Sequence, residues 1–256
     1  MTVAGAVVDL DGTVYLDGDP IDGALAGLER LASLPDGVWF VSNNPSHSPS
    51  EYVERLEDIG FETRPDRILS SGAVTTEYLA DVHAGDDVFV IGTDGLRRQL
   101  REAGVTLCER RSAADVLLAS WTTEFEYDDL VAALRILERD VPFYGTDPDL
   151  TFPGTDGRPI PGSGAIVRSI AETAEREPDR IFGKPSDAMV TAIADRLPGP
   201  PAEYLVIGDR NETDVALGER AGMTTVRVRT GADANGDVTP DHVVASLGDI
   251  ESVLRG

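Results

Sequence analysis

The chain has 256 residues, 41% of them apolar, a formal net charge of −24 and a pI near 4.3. That length accommodates one large domain or two modest ones, and that apolar content excludes a disordered chain. The acidic surface repels nucleic acid and anionic membranes, so neither is expected as a partner, and no stretch approaches the length of a membrane span.

The first element is a short apolar run, residues 3–8, ending at Asp9; it reads as a buried strand of a parallel sheet. The apolar stretch at this end is short, lacks a basic flank and is broken by Asp9, so no signal peptide is expected. Residues 22–34 have helical spacing, with Ala24, Leu25, Leu28, Leu31 and Leu34 on one face. Residues 38–42 form a second buried strand that Asn43-Asn44-Pro45 ends, and Ser50 is placed to cap a helix running to about Ile59. Next come strand-like runs at 87–91, 115–119 and 141–144, with helical runs at 94–103 and 126–139. They have the rhythm of a second α/β unit inserted into the first. Gly162-Ser163-Gly164 reads as a tight turn. The first pattern then returns: a strand at 204–208 ending at Asp209, a helix at 212–221 stopped by Gly222, a strand at 224–229, an exposed turn-rich loop at 231–241 and a helix at 246–254. Alternating strands and helices imply a parallel α/β sheet.

Two compositional features bear on chemistry. The single Cys108 excludes an internal disulfide and points to a reducing, cytoplasmic setting; acids beside it would raise its pKa, so it reads as an inert thiol. Of the 22 basic residues only Lys184 is lysine. An acidic, arginine-for-lysine surface resembles that of proteins adapted to high salt, and a G+C-rich genome would make the same exchange. Lysine retained in Gly183-Lys184-Pro185 marks a place where a planar guanidinium will not substitute, such as a tight pocket setting one compact charge against a carboxylate and a phosphate.

The candidate site collects at strand ends, where ligands bind in open parallel sheets. Asp9-Leu10-Asp11-Gly12-Thr13 follows the first strand, Ser42 ends the second, Asp209 ends a third with Asp214 five residues on, and Lys184 opens the segment before that strand. Carboxylates crowded at one edge cannot all stay ionised unaided, and a hard cation such as Mg²⁺ would hold them. One carboxylate can then attack phosphorus, while a second, two residues along, protonates the leaving oxygen and later activates water. Ser42, backbone N–H groups and Lys184 would neutralise the phosphoryl oxygens. An Asp-x-Asp-Gly stretch alone is common in loops and Ca²⁺ sites; the ordered set of motifs is far more specific.

In these motifs the chain resembles the haloacid dehalogenase superfamily of phosphotransferases. Val41-Ser42-Asn43-Asn44-Pro45-Ser46, Gly208-Asp209-Arg210-Asn211-Glu212-Thr213-Asp214, and Gly183-Lys184-Pro185 with Met189 narrow the resemblance to the NagD-like, p-nitrophenylphosphatase-like branch. It implies a Rossmann-like parallel-sheet core, residues 1–72 and 178–256, with an inserted α/β cap of the C2 type at 73–177. It implies Asp9 as nucleophile forming an aspartyl-phosphate and Asp11 as general acid/base. Mg²⁺ would be held by Asp9, the backbone carbonyl of Asp11, Asp209 and, through water, Asp214. Ser42, the Asn43 N–H and Lys184 would hold the phosphate. The cap stretch containing Thr146 and Asp147 would face the substrate. Relatives usually carry Asn where this chain has Asp147, so either an acid there disfavours anionic leaving groups, or the change is acidic drift. The resemblance also implies a small phosphorylated metabolite as substrate and a homodimer formed through the cap.

The function expected is therefore a Mg²⁺-dependent phosphatase of a small phosphomonoester such as a sugar phosphate, a nucleoside monophosphate or phosphoglycolate. The alternatives are a phosphotransferase or a non-catalytic binding protein of the same fold. A receiver-type phosphoacceptor shares the acids, hydroxyl and lysine but is about half this length. A dehalogenase would not need Asp11, because no alkoxide leaves.

Overall fold

The computed structural model describes residues 3–16, 18–154, 158–231 and 238–255. The expected loop at 231–241 falls largely on 232–237, outside the described residues. Two compact units are present, one drawn from 1–42, 49–69 and 184–256, the other from 43–48 and 70–183. Among the described residues no helix is long and apolar enough to cross a membrane.

The first unit is built on a six-stranded sheet in the order His242–Val244, Thr224–Val228, Tyr204–Gly208, Gly5–Asp9, Gly37–Ser42, Ile68–Ser70. The central strand pairs in parallel with both neighbours, and all five of its residues are buried. A strand covered on both faces has no use for polar alternation, which is why its sequence is a continuous apolar run. One core cluster joins Val8, Phe40, Leu205 and Ile207 of the sheet to Leu28 and Leu31 of the helix Ala24–Ala32 and to Leu247 and Ile250. Gly27 lets that helix approach 247 closely, since a Cβ there would strike the Leu247 backbone.

Several local expectations are corrected. The helix after the second strand spans Pro49–Asp58, so Ser50 lies inside its first turn and not at the position before it; proline's fixed φ suits the first helical position. The expected helix at 212–221 is one π-helical turn, Asn211–Val215, continued by an α-helix, Ala216–Ala221, and Gly222 ends it at φ 72°.

The second unit holds a five-stranded parallel sheet in the order Arg180–Ile181, Phe143–Gly145, Val116–Ala119, Asp87–Ile91, Thr106–Leu107. The strand expected at 141–144 starts only at Phe143, because Pro142 has no N–H to give and offers its carbonyl alone, to Leu117 N at 2.9 Å. The helices Ser71–Val82 and Ser163–Ala174 have no counterpart in the sequence reading. Gly162-Ser163-Gly164 is thus no tight turn but the start of a helix. Its glycines serve close approach, for a Cβ at either would strike the carbonyl oxygen of Asp149 or Pro148.

The inserted unit is also wider than 73–177. Arg180–Ile181 pairs with Tyr144 and Gly145, which carries residues 178–183 into this unit. At its start, Ser71 Oγ donates to the Asn43 carbonyl at 2.7 Å, so residues 70–72 and 43–48 belong here too.

Candidate active site

Strand register brings the motifs of the first unit to one sheet edge. Val8 lies beside Ile207 on one side and Phe40 on the other, and Asp9 lies beside Val41. Asp9, Asp209 and Ser42 therefore all emerge at the carboxyl ends of adjacent strands. Gly12 turns the chain there at φ 88°, a left-handed conformation natural to glycine. Thr230 Oγ1 donates to the Gly12 carbonyl at 2.6 Å. A Cβ at Gly12 would stand 2.8 Å from Asp209 Oδ2, and one at Gly231 would collide with the same carboxylate, so two glycine backbones hem it in.

Lys184 sits among the acids. Its Nζ donates to Asp9 Oδ1 at 2.5 Å and to Asp214 Oδ1 at 2.7 Å, and all three side chains are at least 93% buried, with exposures of 3%, 7% and 3%. The sequence suggested a carboxylate among its partners; the structure supplies two. Asp9 Oδ2 also accepts from Thr13 Oγ1 at 3.2 Å, and Asp214 Oδ2 from the Arg210 backbone N–H at 3.0 Å. The π-helical turn brings Asp214 back so tightly that any side chain at Gly208 would overlap it. Turns of this kind recur at functional sites.

Burial pushes the Asp9 carboxyl well above the usual range; Lys184 pulls it down, and Asp214 and Asp209 push it further up. Burial alone would lower Lys184, but Asp214 and Asp9 outweigh it, and the ammonium is held above its ordinary value. Asp9, Asp209 and Asp214 each offer an oxygen within 4.8 Å of the others, and all three are buried. The Lys184 ammonium is bonded to two of these three desolvated carboxylates, and so much buried negative charge favours a further cation. The pocket's donors are all oxygen, and the buried Asn211 Oδ1, two residues past Asp209, has no hydrogen-bond partner among the described residues. This donor set fits a hard dication such as Mg²⁺.

Asp11 stands apart. It is exposed, and its carboxylate is outside the three-acid group, so any part it takes in holding a metal falls to its backbone carbonyl. Ser42 Oγ donates to Asp11 Oδ2 over a long 3.4 Å and lies 3.1 Å from the hydroxyl of Tyr52.

The remaining predicted residues, Asn43, Thr146 and Asp147, belong to the second unit. The Asn43 side chain and Asp147 flank Gly183, where a Cβ would stand 2.7 Å from Asn43 Oδ1 and 2.6 Å from Asp147 Cβ. Asp147 is 3% exposed and bound by hydroxyls: Thr146 Oγ1 donates to its Oδ2 at 3.0 Å, and Thr146 Oγ1 also lies 2.8 Å from Ser120 Oγ and 3.3 Å from Ser163 Oγ. Burial, then the charge of Asp149, lifts its carboxyl to about 8, against the opposing bonds from Ser163, Thr146 and the Asp149 N–H. Cys108 is half-buried, and burial followed by Asp87 raises its thiol, as expected of an unreactive cysteine.

Sequence reasoning gave no role to Thr13, Tyr52 or the Thr230-Gly231 pair. Thr13 was visible inside the first motif. Thr230 follows the end of a predicted strand and was open to the same strand-end rule. Tyr52 shares a helical face with Leu56 and carried no signal beyond that of a core residue.

The chain matches the haloacid dehalogenase-like hydrolase family over residues 6–106 and a second family of HAD-like hydrolases over 181–250. It is 32% identical over 255 residues to the sugar-phosphatase AraL of Bacillus subtilis, covering 98% of this chain and 93% of that one. It superposes on a p-nitrophenyl phosphatase from Archaeoglobus fulgidus with a TM-score of 0.92 at 32% identity, over 99% and 100% of the two chains. It shares the fold of NagD from E. coli K-12, with a TM-score of 0.85 at 23% identity over 98% and 99%.

Proposed function

From the premise that this chain belongs to the haloacid dehalogenase-like hydrolases and is a phosphoric monoester hydrolase of their NagD-like branch, we propose that it is a Mg²⁺-dependent sugar phosphatase working through an aspartyl-phosphate. The observation that carries the mechanism is the buried Asp9–Lys184–Asp214 arrangement with Asp209 beside it. The substrate class rests on the sugar-phosphatase relative. The lone cysteine suits a reducing, cytoplasmic setting.

Asp9, Asp209 and Asp214 would hold the metal, with the Asp11 carbonyl. Bound there, Mg²⁺ supplies positive charge for the phosphoryl oxygens and favours the ionised form of Asp9. The rest falls to the chain. The Asp9 carboxylate attacks phosphorus, a bond forms between its oxygen and phosphorus, and the ester P–O bond breaks. Asp11, exposed at the same edge, gives its proton to the departing alkoxide; as carboxylate it then takes a proton from the water that attacks phosphorus and releases inorganic phosphate and Asp9. Lys184 keeps Asp9 oriented and offsets its charge, and Ser42 offers a hydroxyl to a phosphoryl oxygen. Asn43 would add its backbone N–H. The cap stretch with Thr146 and Asp147 would select the sugar, and a homodimer through the cap remains part of this reading.

Hydrolysis of p-nitrophenyl phosphate and a panel of sugar phosphates, in 2 M KCl with Mg²⁺ and then with EDTA, tests this. Phosphate release that needs the metal and favours a sugar phosphate supports it. A folded protein that releases none from any ester in the presence of Mg²⁺ overturns it.

A further inference from the structure

Tyr52, on the helix Pro49–Asp58, is completely buried. A core position has no need of a hydroxyl, since phenylalanine would fill the same space without an extra polar atom to satisfy. Here the hydroxyl is 3.1 Å from Ser42 Oγ, and Ser42 Oγ donates to Asp11 Oδ2. While Asp11 is ionised it only accepts, so the serine hydrogen is directed to Asp11 and the serine oxygen can accept from Tyr52. In that state the phenol is the donor. Burial, then the charge of Asp11, keeps it protonated far above neutral pH. With Asp11 ionised these two bonds run from Tyr52 through Ser42 to Asp11.

We propose that Tyr52 is a positioning residue for phosphoryl transfer, fixing through its donated hydrogen bond the direction in which Ser42 presents its own hydrogen. With one serine lone pair held by the phenol, the Ser42 hydrogen points to the acceptor on the far side, whether that is Asp11 or a phosphoryl oxygen. Without the phenol, the hydroxyl rotates and spends part of its time directed elsewhere. This rests on the phosphatase reading above, in which Ser42 meets the phosphate.

Tyr15 supplies an internal control. It is also buried, with the Arg55 guanidinium 5.5 Å from its ring centre, yet its hydroxyl has no hydrogen-bond partner among the described residues. Tyr52 reaches Ser42, and Tyr15 does not.

The test is a double-mutant cycle on the full chain with Mg²⁺, using p-nitrophenyl phosphate for kcat and KM and inorganic phosphate for Kd by calorimetry. Tyr52→Phe is expected to lower kcat/KM about three- to tenfold and to weaken phosphate binding similarly, the size of one neutral hydrogen bond. In the Ser42→Ala background the same change is expected to cost nothing further, and Tyr15→Phe is expected to stay within twofold of the parent. Losses that add across Tyr52→Phe and Ser42→Ala overturn the proposal, because a packing defect would persist without the serine; so does an equal loss from Tyr15→Phe, or none from Tyr52→Phe. If the parent protein hydrolyses no ester, the phosphatase reading fails by itself, and the phosphate Kd cycle still decides the coupling. A parent that binds no phosphate overturns both.

Discussion

Each unit of this protein buries carboxylates, and the two deal with them by different means. In the first unit Asp9, Asp209 and Asp214 gather at one sheet edge, and a lysine ammonium binds two of them directly. In the second, Asp147 is just as deeply buried but meets hydroxyls and an N–H, with no cation among its partners in the described residues. Desolvation is the largest influence on both Asp9 and Asp147, and it raises both. What separates them is the compensation. A counter-charge pulls an acid back toward its ionised, reactive form, whereas hydroxyls alone leave it to be neutralised by a proton. The first arrangement suits a nucleophile; the second makes a neutral hydrogen-bonding group that titrates near pH 8.

Four experiments break or sharpen that contrast. The largest effect is expected from Asp9→Asn, which removes the nucleophile: turnover of p-nitrophenyl phosphate should fall at least about a thousandfold while circular dichroism shows an intact fold. Retained activity would place the nucleophile elsewhere. Lys184→Arg keeps the charge but forces a planar fork into a pocket built around a point charge, and kcat should drop about a hundredfold. A rate near the parent's would mean that any cation serves.

Asp147→Asn addresses the second pocket. In the unfolded chain this carboxyl ionises near pH ~4, in the folded one only near 8. The unfolded state therefore loses its proton first, and the parent should lose stability as pH rises from about 4 to 8, then level off. Denaturant melts at pH 5 and pH 8.5 should show that loss, on the order of a few kcal/mol, and Asp147→Asn should remove this contribution. An unchanged slope in the variant would mean that a cation or water compensates Asp147 after all. The smallest effect concerns the surface shared by both units. With a net charge of −24, raising KCl from 0.1 to 2 M should lift the melting temperature by several degrees through screening, and a flat response would assign the arginine-rich, lysine-poor composition to codon usage instead.

The four inner strands of the first unit's sheet were legible because burial on both faces writes an apolar run, as in Val7, Val8, Val206 and Ile207, whereas the three-residue edge strands Ile68–Ser70 and His242–Val244 were too short to read. The helices Ser71–Val82 and Ser163–Ala174 were not. Each opens on small residues, Ser71-Gly72 and Ser163-Gly164, chosen for close contact with Pro45 and Pro148, and such a start looks like a turn. The edges of the inserted unit escaped for a related reason: a two-residue strand such as Arg180–Ile181 has no periodicity to read and is defined only by its pairing with Tyr144 and Gly145.

By itself the sequence determined the parallel α/β class, because strand and helix periods alternate along it; it marked Asp9, Asp11, Ser42, Asp209 and Asp214, because each lies at or near a predicted strand end, and Lys184, because it is the single lysine of the chain. Tertiary structure alone decided which of these meet. Register set Asp9 beside Val41, a π-helical turn drew Asp214 back to Lys184, and Asp11 was left outside the buried acids. It also joined Tyr52 to Ser42 and sank Asp147 among hydroxyls. Those outcomes depend on distances and burial between residues far apart in the chain, and no local pattern encodes either.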